Sequence, residues 1–332
     1  MLLRLLLPRV PVLSSLLRLV PLVVLLLLEV LALLRLTFGF SVVRVVAPDG
    51  SLYHIHLTGE NLADNVLLVG DPDRVNMFKE VFESVEHESQ NRELHALTGR
   101  YHGERITALS TGMGCDNIDI VATELDAAAN FDLSSRTPLK EHRTLNMVRI
   151  GTCGSLQADI DCGSLVASRY AIGLDGLMNY YQHGDQGFEH EMEAAFVKHM
   201  QLDPRLATPY CVRGSQALLD KIGNGMHHGI TVTAPGFYGP QGRNIRLAPS
   251  IENLNEKLAA FSWNGTRVTN LEMETSAIFG FANALGHQAM TVCMIVANRP
   301  AGTFLSDYHQ PMKAAIGRIV ESLISPDCGA RP

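Results

Sequence analysis

Four short stretches carry residue types suited to holding an anion beside a flat polar ring. Arg149-Ile150-Gly151-Thr152-Cys153-Gly154 follows Leu145-Asn146-Met147-Val148 and sets a permanent cation and a hydroxyl among glycines. Glycine opens backbone angles closed to other residues, so main-chain N–H groups can converge there, and the arginine fork suits a phosphate. On residue types alone, an ordinary strand-to-loop turn with a surface arginine fits equally. Gly70-Asp71-Pro72-Asp73-Arg74 follows the apolar run Val66-Leu67-Leu68-Val69. A strand, a glycine and a helix opening at proline make an anion site at a helix N-terminus. The plainer reading has Asp71 capping that helix and Arg74 in solvent. Glu272-Met273-Glu274 places two carboxylates where an apolar strand becomes a small-residue helix. Charges at such a junction are rarely buried without a task, although a surface helix N-terminus also welcomes acids. Phe237-Tyr238-Gly239-Pro240-Gln241-Gly242-Arg243 offers aromatics to pack a flat ligand, with an amide and a guanidinium to bond its edge. The same aromatics could equally serve only to pin the loop.

The elements that must position these stretches alternate apolar strands with amphipathic helices. Strands are expected over 66–69, 106–109, 145–150, 164–168, 208–214, 230–234, 268–272 and 290–296. A hairpin turns at His102-Gly103. Helices are expected from Val75, with Val75, Phe78, Val81 and Phe82 on one face, and over 119–130, 189–200, 275–285 and 311–323. Residues 42–46 and the alternating Tyr53-His54-Ile55-His56-Leu57 read as short strands, with His56 facing solvent, and 131–145 as an exposed loop. The order implies an α/β fold, a mixed, mostly parallel twisted sheet flanked by helices in three α/β/α layers. In such folds ligands sit beyond the carboxyl ends of the strands, where all four stretches belong.

Residues 1–41 differ from the rest, being nearly all leucine and valine interrupted by arginines, prolines and Glu29. The clean apolar run from Leu19 to Leu28 falls short of the ~18–20 residues that span a bilayer. A targeting segment, a membrane attachment and a spurious upstream stretch all remain open, and the segment is read as lying outside the 42–332 domain. The net charge of −7, without a basic block in that domain, excludes an electrostatic footprint for nucleic acid. The six cysteines form no C-x-x-C pair and no cluster with histidine. That pattern fits a reducing, cytoplasmic compartment and argues against secretion.

With Ser110-Thr111-Gly112-Met113-Gly114 added, these stretches stand in the order and spacing of the nucleoside phosphorylases. The chain resembles that family over residues 53–323, in the branch that cleaves uridine. The resemblance implies a phosphate site of Gly70, Arg74, Arg149 and Thr152, with Arg92 from a neighbouring subunit. It implies a ribose seated on Met273 and held by Glu274, with His54 reaching the 5′ end across a dimer interface. The base would lie near Phe237, its edge read by Gln241 and Arg243. The catalytic set would be Arg243, Glu274 and Arg149. Inorganic phosphate would be a co-substrate and no cofactor would be required. Glu93, Met113 and Asn117 match positions that hold a monovalent cation in some relatives; Asn117 replaces a hydroxyl residue there, which argues against potassium. A homo-oligomer is implied, a dimer at minimum and a hexamer by family habit.

Chemistry supports the assignment. Breaking a glycosidic bond builds positive charge on the ribose and negative charge on the base, so a clamped phosphate and donors at the base edge both contribute. Purine-cleaving relatives carry an aspartate after the last core strand, where this chain reads Val296-Ala297-Asn298-Arg299. That difference and the Gln241/Arg243 pair point to a pyrimidine. Three phosphate-directed arginines argue against a hydrolytic nucleosidase and against a catalytically silent nucleoside-binding protein.

Overall fold

The computed structural model describes residues 45–325, so the leucine-rich stretch and most of the expected 42–46 strand lie outside the described residues. Val46 makes an isolated bridge to Leu52. Among the described residues no helix is long and apolar enough to cross a membrane.

The strands β1 (Asn65–Val69), β7 (Asn146–Ser155) and β13 (Gln288–Asn298) are buried along most of their length. Burial on both faces is what a central parallel strand requires. Side chains alternate across the sheet. Leu67, Val69, Val148, Ile150, Met290 and Val292 form a core with Val75 and Phe78 and with the apolar faces of α4 (Gln216–Ile222) and α7 (His309–Ile324). Val75 sits in the five-residue α1 (Pro72–Asn76), which tightens into a 3₁₀ turn, Met77–Glu80. The expected apolar face is therefore present, on a shorter helix.

The main sheet has 12 strands. Its parallel pairings join β1 to β4 (Glu104–Ser110) and to β7, β7 to β13, and β10 (His227–Thr233) to both β8 (Leu165–Gly173) and β12 (Thr266–Glu272). Antiparallel strands complete it. These include β2 (Ser84–Asn91) and β3 (Leu94–Tyr101) at one edge and β9 (Tyr210–Arg213) beside β8. Strand β8 also pairs antiparallel with β13, and β12 with the end of β7. The strands β7-β13-β8-β10-β12 consequently close on themselves as a ring. The outer side of this ring is covered by α3 (His190–Met200) and α5 (Leu254–Ala260) through Met192, Phe196, Leu254 and Leu258. Helices α2 (Cys115–Asn130) and α6 (Thr275–Leu285) pack together and against the sheet.

Three expectations are corrected. Tyr53 to Leu57 is a run of turns rather than a strand; His56 is left-handed (φ 51) and the His54 ring is bonded to the buried Glu124 at 2.5 Å. The His54 and Ile55 N–H groups both donate to the Glu124 carboxylate and hold that turn, which alternation in the sequence does not reveal. The loop over 131–145 contains a small antiparallel pair, Phe131–Asp132 with Thr137–Pro138. Strand β2, with the polar sequence SVEHESQN, and helices α4 and α5 were not anticipated. Strand β2 carries no apolar alternation because it is an exposed edge held by its ladder to β3.

Candidate active site

Strand β7 changes partner along one edge. Residues 146–149 pair with β1, whereas Gly154 and Ser155 pair with Leu271 and Asn270 of β12. Between these two pairings the chains that leave β1 and β12 diverge, and a crevice opens over residues 150–153 of β7. A cavity of about 690 Å³ occupies that crevice.

The cavity gathers Gly70, Arg74, Arg149, Thr152, Phe237, Gln241, Arg243, Met273 and Glu274, with Glu93, Met113 and Asn117 at its rim. All five motifs, separated by as much as two hundred positions, are thus in one place. His54 and Arg92 do not line it. They lie together instead, because the Asn91 amide donates to the Tyr53 and His54 carbonyls and ties the β2–β3 turn to that segment. Arg92 is exposed at the tip of this turn with φ 54, a conformation uncommon for a residue bearing a side chain.

The glycines of the Arg149 motif act differently from expectation. Neither Gly151 nor Gly154 has positive φ, and both lie inside β7 rather than in a turn of converging N–H groups. Their value is the missing Cβ. At Gly151 a Cβ would lie 1.7 Å from Arg149 Nη1, and at Gly154 one would lie 3.1 Å from Arg299 Nε. Each glycine is the seat of a guanidinium.

Arg149 is 5% exposed. It is ion-paired to Glu274 through Nη2, lies 3.5 Å from Glu272 and donates to Cys293 Sγ at 3.2 Å. Burial alone would lower its pKa, but the Glu274 and Glu272 carboxylates beside it outweigh this and raise it, which holds the guanidinium protonated. Glu272 is pushed above the usual carboxylate range by burial, with Arg149 opposing. Its carboxylate also accepts from the N–H groups of Glu274 and Thr275 and from Thr233 Oγ1, so it caps α6. The two acids of Glu272-Met273-Glu274 therefore divide the two expected roles. Glu272 serves the helix N-terminus, while Glu274 faces the cavity, bonded to Gly114 N–H at 2.7 Å and to Arg149.

At the other motif, Asp71 caps α1 by accepting from Asp73 N–H at 2.9 Å. Arg74 is nevertheless not in solvent. It is 6% exposed, donates to the Ile150 carbonyl at 3.2 Å, and among the described residues has no carboxylate within ion-pair distance. Burial lowers its pKa, and the nearby Arg149 charge contributes. A buried guanidinium without an acid, opening on a cavity beside a second guanidinium, is a site that an oxyanion stabilises.

On the base side, Arg243 lies over the Phe237 ring, 3.9 Å from its centroid, so one ring face is already covered. Arg243 donates to Gln241 Oε1 at 2.6 Å, and Arg299 donates to the same atom at 2.7 Å. Guanidinium groups only donate, so Oε1 is fixed as the acceptor, and among the described residues the Gln241 NH₂ has no hydrogen-bond partner. Arg299 also holds the Gln241 carbonyl and Asn255. Burial and the Arg243 charge push its pKa down to about 10, which leaves it charged at neutral pH. Arg299 escaped the sequence reading; the signal was its place beside Asn298 at the end of β13. Asn298 itself points away from the cavity. Its amide donates to the carbonyls of Gln157 and Ile160 at 3.0 and 2.9 Å and accepts from Ala301 N–H.

Among the described residues Asp126, His142 and His287 converge as metal ligands would. His287 Nδ1 accepts from Leu145 N–H, so Nε2 carries the proton and donates to Asp126 at 3.2 Å. No lone pair of that ring is left for a metal, and the group serves to fasten the 142–145 chain to α2 and α6.

Residues 64–325 match the family model described as the phosphorylase superfamily. The chain belongs to that family. It is 28% identical over 267 residues to the uridine phosphorylase of Thermococcus kodakarensis, covering 80% of this chain and 83% of that one. It is also 28% identical over 245 residues to a DeoD-type purine nucleoside phosphorylase of Alkaliphilus metalliredigens, covering 73% and 85%. Among solved structures it is similar to a Trypanosoma brucei nucleoside phosphorylase described as showing uridine phosphorylase activity. That match has a TM-score of 0.76 and 30% identity, covering 85% of this chain and 99% of the other. A Toxoplasma gondii purine nucleoside phosphorylase at 20% identity and TM-score 0.57 shares the fold. The chain is accordingly a pentosyltransferase of the phosphorylase type.

Two substitutions test this geometry. Gly151→Ala should drive the Arg149 guanidinium from its seat and lower turnover about 100-fold, the scale of a misplacement near 1 Å, with the far-ultraviolet circular dichroism unchanged. Asn298→Asp should destabilise the fold in urea unfolding by about 1–3 kcal/mol or more, because carbonyls lose their donor and face a carboxylate. It should confer no cleavage of inosine, since that side chain points away from the base.

Proposed function

We propose that this phosphorylase cleaves uridine with inorganic phosphate, yielding uracil and ribose 1-phosphate, as a step of pyrimidine salvage. The observation that carries the base assignment is the donor wall at the Phe237 end of the cavity. Arg243 and the amide of Gln241 line it as donors, Arg299 behind them fixes Gln241 Oε1, and among the described residues no carboxylate is paired with these groups. Such a wall accepts carbonyl oxygens and the negative charge that develops on a departing uracil. It gives no group able to protonate a purine ring nitrogen. Phe237, half-exposed with one face covered by Arg243, keeps its remaining surface for the base.

At the opposite end Arg74, Arg149, Thr152 and the backbone at Gly70 hold phosphate under the anomeric carbon. Met273 underlies the ribose, and Glu274, already oriented by Gly114 N–H, accepts from the ribose hydroxyls. Phosphate then shares Arg149 with Glu274. The reaction moves the glycosidic bond electrons onto uracil while a phosphate oxygen forms the new bond to C1 of ribose. Arginine and carboxylate side chains suffice for this, so no cofactor or metal is assigned.

The active unit in this reading is at least a dimer in which Arg92 and His54 enter the partner's cavity. Their absence from the lining of their own cavity and the Asn91 bonds that hold them in one neighbourhood, with Arg92 exposed, support it. The scattered thiols support a reducing, cytoplasmic setting for the reaction.

A protein beginning near Val46, incubated with uridine or inosine with and without phosphate, should release uracil only when phosphate is present and leave inosine intact. Base release without phosphate, or preference for inosine, would overturn the assignment. Arg149→Ala should lower kcat by about 10²–10³-fold, as removal of one charge-stabilising donor does. If Arg92 acts across an interface, Arg92→Ala and Arg149→Ala chains refolded together should regain activity that neither has alone, because each mixed dimer contains one intact site.

A further inference from the structure

The phosphate end of the cavity has one wall that no motif accounts for. Beyond β13 the chain turns back through Thr303–Phe304, where Phe304 pairs with Ala297, and Leu305 N–H returns to the Val296 carbonyl. The Ala301 N–H is held by Asn298 Oδ1 at 2.9 Å. This anchored strap ends at Tyr308, which precedes α7 and lines the same cavity as Gly70, Arg74 and Thr152.

The Arg74 guanidinium carbon lies 6.0 Å from the centre of the Tyr308 ring. Tyr308 is half-buried, and among the described residues its hydroxyl has no hydrogen-bond partner other than the neighbouring Arg74. Its hydroxyl therefore still has a donor to offer, at the edge of a site whose nearest cation has no acid partner among the described residues. A phenol in that position can donate to an oxyanion that Arg74 attracts, while its ring shields the guanidinium from water and so strengthens the pairing.

We propose that Tyr308 is a phosphate-binding residue, its hydroxyl donating to the phosphate that Arg74 holds. The strap 300–308 thus completes the phosphate subsite from within the same subunit. This rests on the phosphorolytic reading above. It assigns to the C-terminal strap a direct contact with the attacking nucleophile, and makes Tyr308 a determinant of phosphate affinity rather than of base choice.

Tyr308→Phe keeps the ring over Arg74 and removes only the hydroxyl. The expected result is a rise in the phosphate KM of about 10- to 100-fold, the scale of a lost hydrogen bond to a charged group, with the uridine KM within twofold of the parent. Inorganic phosphate should also raise the Tm of the parent protein at concentrations that leave Tyr308→Phe unshifted, a readout independent of turnover. A parent enzyme that needs phosphate, with an unchanged phosphate KM in Tyr308→Phe, would overturn this assignment alone. Equal phosphate protection of both proteins would overturn it too. Base release by the parent without phosphate, and no thermal shift, would instead remove the phosphorolytic reading and this one with it.

Discussion

The partner exchange on one edge of β7 is the constraint on which the site depends. A strand edge can satisfy its hydrogen bonds with one neighbour at a time, and β7 is shared between β1 at its start and β12 at its end. The second pairing closes the ring of strands and brings Glu272 and Glu274 over Arg149. The gap between the two pairings becomes the cavity floor. Core packing of α1, α4 and α7 on one side, and of α3 and α5 around the ring, holds both neighbours in place.

Charge is distributed unevenly over that floor. Arg149 is surrounded by two carboxylates, so its desolvation is offset within the protein. Among the described residues Arg74 has no carboxylate partner and donates to the Ile150 carbonyl at 3.2 Å. Arg243 and Arg299 converge on one amide oxygen and repel each other, which the burial of Arg299 makes more costly. Incoming negative charge relieves both the Arg74 end and the Arg243 end. A site with cations at its two ends and a carboxylate between them fits a reaction that brings one anion, releases another and passes through a cationic sugar.

The strap from Ala297 to Tyr308 shows how one polar residue can organise chain far from the chemistry. Asn298 takes up the carbonyls of the 157–160 turn and the N–H of Ala301. Arg299 is thereby aimed at Gln241, and the chain returns along β13 before entering α7. The absence of an acid at this strand end bears on base choice, but the asparagine found there is a structural fastener.

The central strands, most helices and most of the residues that gather in the cavity are legible in the sequence, because apolar runs have a period and because arginine, glutamate and glycine are seldom placed at strand ends without cause. Gly70, Arg74, Arg149, Gln241, Arg243 and Glu274 announced themselves by type and position. Other features had no local signal. The two glycines of β7 read as a turn, yet they are spaces for Arg149 and Arg299, and only the packed structure shows what fills a missing Cβ. Tyr53 to Leu57 alternates like a strand but is bent by the Glu124 carboxylate, seventy positions away from His54. Strand β2 is polar and is defined by its neighbour's hydrogen bonds. Sequence alone determined which groups were available and at which strand ends they lie, since period and residue chemistry are local. Tertiary structure decided which acid caps and which faces the cavity, which arginine is left unpaired, and that His54 and Arg92 stand apart from their own cavity. Those outcomes depend on contacts between segments that the chain brings together only by folding.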